Sequence, residues 1–240
     1  MKTSLRTTAA NCLGVNGKFS VRRDVFGYIW GPMQRTLSVK DHLRRIRGSA
    51  INLSVFLVGH EPGFGGWFNQ DEAREIQHAI EVMRELYDQV GVGVRKIYWR
   101  YIPVDQATGY DSVDSGEATD LTEDFSGPND GIDVFYVQLI TDAGGWSNVD
   151  GPCNKDAKGR TGAVIEIKEV TDVGNLDFGG ILLAHEVGHY LGLEHTDTIT
   201  NVMGSDADGD GIGSINSTSV NLTNDQGNTM KRHCSIKGAC

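Results

Sequence analysis

Three histidines spaced over eleven residues constrain the fold of this chain more than any other feature of its sequence. His185 and His189 are four residues apart, so on an α-helix their rings lie on one face, one turn apart. The apolar run 181–184 just before them suits a buried helix. His195 comes six residues after His189, and a continuing helix would carry it about 9 Å further along the axis. The chain is therefore expected to turn sharply at Gly192, a residue that tolerates a positive φ.

If the turn brings the three imidazoles together, they offer three neutral nitrogen ligands to one divalent ion. Three histidines with an open fourth position are typical of catalytic zinc, although the ligand type would also accept cobalt or nickel. Glu186 is rotated by about 100° from His185 on the helix, so it flanks the ion and can hold the water bound to it. The sequence therefore predicts one zinc ion on His185, His189 and His195, with Glu186 as the catalytic base.

The segment from His185 to His195 has the form HExxHxxGxxH, which is the extended zincin motif. With Met203 following it, the segment resembles the metzincin clan of zinc metallopeptidases. The eight residues from His195 to Met203 are similar to the spacing in the matrixins and related bacterial branches, and the subfamily stays open. The resemblance covers about residues 180–205. It implies an α/β (α+β) fold with a twisted, mostly parallel sheet and an active-site helix, and it places Met203 in a Met-turn beneath the ligands.

The same resemblance implies a zinc-dependent endopeptidase that hydrolyses peptide bonds in proteins or peptides, with Glu186 activating the metal-bound water. Ser205 stands where astacins and serralysins have a ligand tyrosine, and the sequence has no His-Gly-Asp loop of the matrixin type. One zinc rather than two is therefore expected. Two alternatives remain open, a processing protease of narrow specificity and a calcium-stabilised binding module on an inactive protease fold. The presence of Glu186 argues against the second.

Hydrophobic periodicity outside the motif predicts a sheet packed on helices. The resemblance to the metzincins implies that an extended substrate pairs with an edge strand, which is either 163–167 or the segment 144–146. Residues 105–130 are interpreted mainly as loop. The predicted strands are 51–58, 94–104, 132–140 and 163–167, and the predicted helices besides the motif are 71–90 and about 225–233, the latter with Thr223 as N-cap.

The predicted domain organisation has two parts. Residues 1–50 form an N-terminal extension that packs on the catalytic domain or precedes it, and residues 51–240 form the catalytic domain. Within that domain, the expected subdomains are 51–192 and 193–240.

An acidic loop after the Met-turn is a second candidate metal site. Asp206, Asp208 and Asp210 alternate with small residues, as at the start of a calcium loop. Ser217 stands where an EF-hand has its bidentate glutamate, so the loop is no complete EF-hand. A calcium site of another kind and a solvated acidic loop both remain open.

Charge and hydropathy exclude several classes of protein. The formal net charge is −10, with +8 in residues 1–50 and −18 in residues 51–240. Such an acidic body does not bind nucleic acid by counterion release. No apolar run approaches the roughly 18–20 residues that span a bilayer. The basic N-terminal stretch either docks on the acidic body or is solvated. The expected partner is a protein or peptide substrate, and the chain is expected to be a monomer.

The four cysteines indicate an oxidising compartment. Cys12, Cys153, Cys234 and Cys240 form no CxxC pair, and an even number suits one or two disulfides in a secreted or extracellular protein. Three pairings are compatible with the sequence. The first residues lack the apolar core of a signal peptide, so either a leader has been removed or export does not apply.

Overall fold

The computed structural model describes residues 48–63, 65–167, 176–205 and 214–238, which form one mixed arrangement of strands and helices. In chain order the elements are β1 (Ser49–Val58), β2 (His60–Glu61), β3 (Gly65–Gly66), α1 (Gln70–Asp88), β4 (Val92–Ile102), α2 (Ser115–Phe125), β5 (Ile132–Val137), β6 (Gly145–Ser147), β7 (Ala163–Glu166), α3 (Leu176–Tyr190) and α4 (Asn224–Arg232). In the described part of the chain, no helix combines the length and the apolar character that crossing a bilayer requires.

The main sheet has five strands in the order β4-β1-β5-β7-β6. The first four run parallel to their neighbours, and β6 pairs antiparallel with β7 at one edge. Strand β1 lies between two parallel neighbours, and nine of its ten residues are buried, as expected for a strand covered on both faces. The predicted α/β fold with a mostly parallel sheet is confirmed.

Alternate residues of each strand point to two separate apolar layers. Leu53 and Val55 of β1 belong to the larger core, which also contains the buried faces of α1 and α3. Phe56 and Val58 belong to a smaller core with buried residues of α2. Helices α1 and α3 also pack against each other. Because α3 is covered by the sheet and by α1, its apolar residues are fixed on a rigid support.

The interpretation of residues 105–130 as mainly loop missed helix α2, which occupies 11 residues in the middle of the segment. Asp114 caps this helix by accepting hydrogen bonds from the backbone N–H groups of Gly116 and Glu117, and Glu117 completes the capping box. Ala118 and Leu121 are buried against the second face of the sheet. The apolar stripe of α2 is short and lies in an acidic stretch, so hydrophobic periodicity gives little sign of it.

The sequence left two candidates for the edge strand, 163–167 and 144–146. In the structure, only the second candidate lies at an edge of the sheet. Residues 163–166 form β7, which has β5 on one side and β6 on the other. Gly145 and Trp146, within the alternative segment, belong to β6 at the edge of the sheet.

The C-terminal part of the chain is tied back to the body. Helix α4 follows Thr223, the predicted N-cap, whose hydroxyl accepts a hydrogen bond from the backbone N–H of Gln226. A disulfide joins Cys153 to Cys234, with 5.8 Å between their Cα atoms. Cys12, Cys240 and nearly all of the predicted extension 1–50 lie outside the described residues. The division of 51–240 into two subdomains stays a prediction.

Candidate metal centre

The turn after α3 takes the form that the histidine spacing requires. The helix ends at Tyr190, and Gly192 has a φ of +91°. The backbone N–H of Gly192 donates to the carbonyl of His189 (2.8 Å), and that of Leu193 donates to Gly188 (3.0 Å). Both bonds close back onto the last turn of the helix, so the following residues reverse towards its histidine face.

The reversal brings the three imidazoles into mutual contact. The Nε2 atoms are 3.0 Å apart in His185 and His189, 2.9 Å apart in His189 and His195, and 3.2 Å apart in His185 and His195. Tetrahedral zinc with Zn–N bonds of about 2.0–2.1 Å holds its nitrogen ligands about 3.3–3.4 Å apart. The triad therefore fits one such ion after small outward shifts of the rings.

The hydrogen bonds of His185 and His189 leave their Nε2 atoms available to bind a cation. The Nδ1 atom of His185 donates to the carbonyl oxygen of Val202 (2.8 Å), and that of His189 donates to Leu193 (2.7 Å). Burial lowers the pKa of His185 to about 3 and also lowers the pKa of His189. Each neutral ring with a proton on Nδ1 turns an Nε2 lone pair inward. Lone pairs that face one another repel unless a cation lies between them, and a backbone carbonyl on Nδ1 is the usual orienting partner of a histidine that binds metal.

Met203 packs against the helix that carries the first two histidines, and its role in a Met-turn stays a prediction. It is fully buried. A Cβ added at Gly188, inside the motif, would lie 2.7 Å from the Met203 sulfur. The carbonyl of Met203 accepts a hydrogen bond from the N–H of Thr196 (2.9 Å), next to the third histidine. The glycine thus lets the methionine approach the helix between the first two histidines.

Glu186, next to His185 on the same helix, is buried. Only 5% of it is exposed, and burial raises its pKa to about 8. Burial raises the pKa of the Tyr87 phenol in α1, and the negative charge of nearby Glu186 raises it further. The Tyr87 hydroxyl donates to the carbonyl of Ala184 (2.7 Å), which fixes α1 against the helix just before the motif.

Residues 150–153, here named the capping loop, hold the C-terminal end of α3. The N–H of Asp150 donates to the carbonyl of His189 and the N–H of Gly151 donates to Tyr190, both at 2.9 Å. The Tyr190 hydroxyl donates to the carbonyl of Pro152 (2.8 Å), and Cys153 carries the disulfide to Cys234. Sequence reasoning did not identify this loop, because its contacts join segments about forty residues apart.

The other histidines take different roles. His78 is exposed and its Nε2 lies 2.7 Å from an Asp177 carboxylate oxygen. His60 and His233 are buried. The Nε2 of His233 donates to the carbonyl of Gly151 (2.8 Å), so this ring supports the capping loop. Among the described residues, the three histidines of the motif form the one cluster with metal-ligand spacing.

The predicted calcium ligands Asp206, Asp208 and Asp210 lie outside the described residues, so that site stays a prediction.

The chain is similar to one protein family and to many solved structures, two of which follow. Residues 73–196 match the model of the family described as metallo-peptidase family M12B, reprolysin-like. Metalloproteinase-II from Bacteroides fragilis is 16% identical with a TM-score of 0.43, and the match covers 76% of this chain and 52% of that one, so the chain spans about half of its length. Archaemetzincin from Methanopyrus kandleri is 13% identical with a TM-score of 0.47, and the match covers 77% of this chain and 95% of that one. No curated protein matches the sequence.

Proposed function

We propose, from the premise that this chain belongs to the reprolysin-like M12B family of metallopeptidases, that it is a zinc-dependent endopeptidase acting on proteins or peptides. Family membership confirms the resemblance to zinc metallopeptidases and supports zinc-dependent peptidase activity. The endopeptidase mode, the role of each residue and the substrate are proposed. The observation that carries the proposal is the convergence of three histidine Nε2 atoms within 3.2 Å of one another.

His185, His189 and His195 would hold the zinc ion. When bound there, zinc polarises the substrate carbonyl and lowers the pKa of a water molecule. The chain's own contribution is the orientation of the ligands, because backbone carbonyls of Val202 and Leu193 fix the rings of the first two histidines.

Glu186 would act as the general base and then as the general acid. It lies directly after His185 on the same helix and is shielded from solvent. Burial raises the pKa of this carboxyl, which makes the carboxylate a stronger base towards the attacking water. The Glu186 carboxylate accepts a proton from the attacking water, and the same oxygen delivers it to the nitrogen of the leaving amine.

Strand β6 would align the substrate. It is short, it forms one edge of the sheet and it packs beside α3. An extended peptide can add to such an edge through main-chain hydrogen bonds. Since Gly145 of this strand adjoins Glu186, a peptide on the outer edge would run past the catalytic carboxyl.

The charge around the site favours cationic substrates. Segments 138–153 and 176–205 contain no lysine or arginine. Asp150, Glu194 and Asp197 are exposed in these segments, close in sequence to the metal ligands or hydrogen-bonded to them. A group of negative charges around a site attracts positively charged ligands. We therefore propose peptides rich in Lys and Arg as preferred substrates.

We also propose that the chain works outside the reducing cytosol. The Cys153–Cys234 disulfide supports this location. A monomeric state remains part of the proposal, as does a calcium ion on Asp206, Asp208 and Asp210.

The test is zinc analysis of the full chain combined with digestion of a peptide library, with and without a chelator. We expect one zinc per chain and many internal cleavages that the chelator abolishes and added zinc restores. A single cleaved peptide would support the narrow processing protease. Stoichiometric zinc without any cleavage, in the library and in intact casein, would overturn the peptidase proposal.

A further inference from the structure

The backbone of the edge strand lies directly against the carboxyl group of Glu186. A Cβ added at Gly145 would lie 2.7 Å from both Cγ and Oε1 of Glu186 and 2.9 Å from its Cδ. Carbon atoms in folded proteins do not approach so closely without strain, so a side chain at position 145 and the present position of Glu186 exclude each other.

The strand cannot readily move away from Glu186. Gly145 pairs with Ile165 and Trp146 pairs with Val164 in the antiparallel ladder with β7. Just before the strand, the carbonyl of Gly144 accepts a hydrogen bond from the N–H of Glu166 (3.0 Å). The Glu166 carboxylate in turn accepts from the N–H of Ile140 (3.0 Å), at the start of the connection that leads into β6.

The helix that carries Glu186 is equally fixed. Its neighbour His185 is held through Nδ1 by the Val202 carbonyl, and α3 packs on both α1 and the sheet. With both backbones constrained, the element free to yield is the Glu186 side chain itself. Rotation of that side chain would carry the carboxyl away from the site where it exchanges protons.

We propose that Gly145 is a positioning residue for Glu186: the missing side chain lets the edge strand act as a wall that fixes the carboxyl beside the metal centre. The φ of Gly145 is not in the positive region, so the glycine is required here by close approach rather than by backbone conformation. The inference rests on the proposed role of Glu186, but the contact itself can be tested independently of activity.

The first experiment compares Gly145→Ala with the parent protein in kinetics and zinc content. We expect stoichiometric zinc, nearly unchanged KM, and kcat lower by about 10–100-fold, because a misplacement of roughly 1 Å costs that much. The matched control is Gly127→Ala, since Gly127 has no positive φ and a Cβ there would meet no atom within 4 Å. We expect parental kcat from this control. A Gly145→Ala enzyme with parental kcat would overturn the inference.

The second experiment is a double-mutant cycle on thermal stability, which does not depend on peptidase activity. Gly145→Ala should lower the Tm in the parent protein, because the buried Glu186 side chain must leave its packed position, but not in the Glu186→Ala background, where that side chain is absent. An equal loss of Tm in both backgrounds would show that the strand itself needs glycine and would overturn the inference. If the cycle shows coupling but no variant cleaves any peptide, the positional contact stands and the proposed function fails.

Discussion

The imidazole Nδ1 of His189 donates a hydrogen bond to the carbonyl oxygen of Leu193, four residues further along the chain, at 2.7 Å. Leu193 belongs to the turn that brings His195 back to the helix. The orientation of the second ligand and the delivery of the third therefore depend on one backbone conformation, that of Gly192 at φ +91°.

Replacing Gly192 by alanine should weaken zinc binding. The nearest atoms to an added Cβ are 3.6–3.7 Å away, so the cost comes from the positive φ, about 1–2 kcal/mol for a residue with a Cβ. We expect zinc affinity to fall by about tenfold in competition with a chromophoric chelator. Gly192→Asn is the control, because Asn tolerates positive φ better and should lose less. Equal affinities for the parent protein and the alanine variant would contradict this explanation.

Replacing Glu186 by glutamine should separate zinc binding from turnover. The amide keeps the size of the side chain, and the three histidines are untouched. Without a carboxylate to accept the proton, kcat should fall by about 10²–10⁴-fold. Metal analysis should still give stoichiometric zinc. Turnover near the parental rate would exclude Glu186 as the base.

The exposed acidic residues near the site should make cleavage depend on substrate charge. We expect kcat/KM to be higher for a Lys-rich peptide than for a Glu-rich peptide of the same length, and the difference to shrink as salt rises from about 0.01 to 0.5 M. The variant Glu194→Gln/Asp197→Asn removes two exposed carboxylates beside the third histidine and should reduce the preference. A preference that salt does not change would speak against an electrostatic origin.

Protonation of His60 should destabilise the fold at mildly acidic pH. Burial beside Phe68 and Tyr101 lowers the pKa of His60 below its ordinary value of 6.5. Between the folded-state pKa and 6.5 the unfolded chain binds more protons, so the free energy of unfolding falls as the pH drops through that window. In urea titrations from pH 8 to pH 5, His60→Phe should show a smaller decrease than the parent.

The control for this prediction is His78→Gln, which changes an exposed histidine and should leave the contribution of His60 in place. Identical slopes for His60→Phe and the parent protein would mean that the ring is already accommodated in its charged form.

The disulfide should contribute to metal retention as well as to stability. Cys153→Ser/Cys234→Ser opens a loop that joins positions 81 residues apart, for which chain entropy predicts a loss of about 4–5 kcal/mol. Since the capping loop binds the carbonyls of His189 and Tyr190, zinc should also dissociate faster into excess chelator. A lower Tm with an unchanged dissociation rate would restrict the disulfide to a role in overall stability.

The convergence of the three histidines can be predicted from the sequence because its determinants are local. The spacing of His185, His189 and His195 and the glycine at 192 can all be interpreted from helix geometry over eleven residues. Helix α2 escapes this reasoning because few of its residues are apolar. Even so, Asp114 followed three residues later by Glu117 is a capping signal present in the sequence.

The features that sequence reasoning missed depend on contacts between distant segments. The close approach of Gly145 to Glu186 joins residues 41 positions apart. The pairing of Cys153 with Cys234 likewise follows from the packing of α4 rather than from the spacing of the cysteines. Such contacts arise only when the sheet and helices are assembled, so no local pattern encodes them.

The two edge strands of the sheet differ in length and in charge, and this difference determines where a strand from another molecule can join the sheet. Strand β4 forms an eleven-residue margin that carries Arg95, Lys96 and Arg100. Charged side chains on such a margin discourage aggregation through open backbone groups. Strand β6 offers only three residues, none of them charged. Intermolecular strand pairing is thereby directed to the short edge beside the histidines, and on the proposed function an incoming chain would be hydrolysed there rather than accumulate.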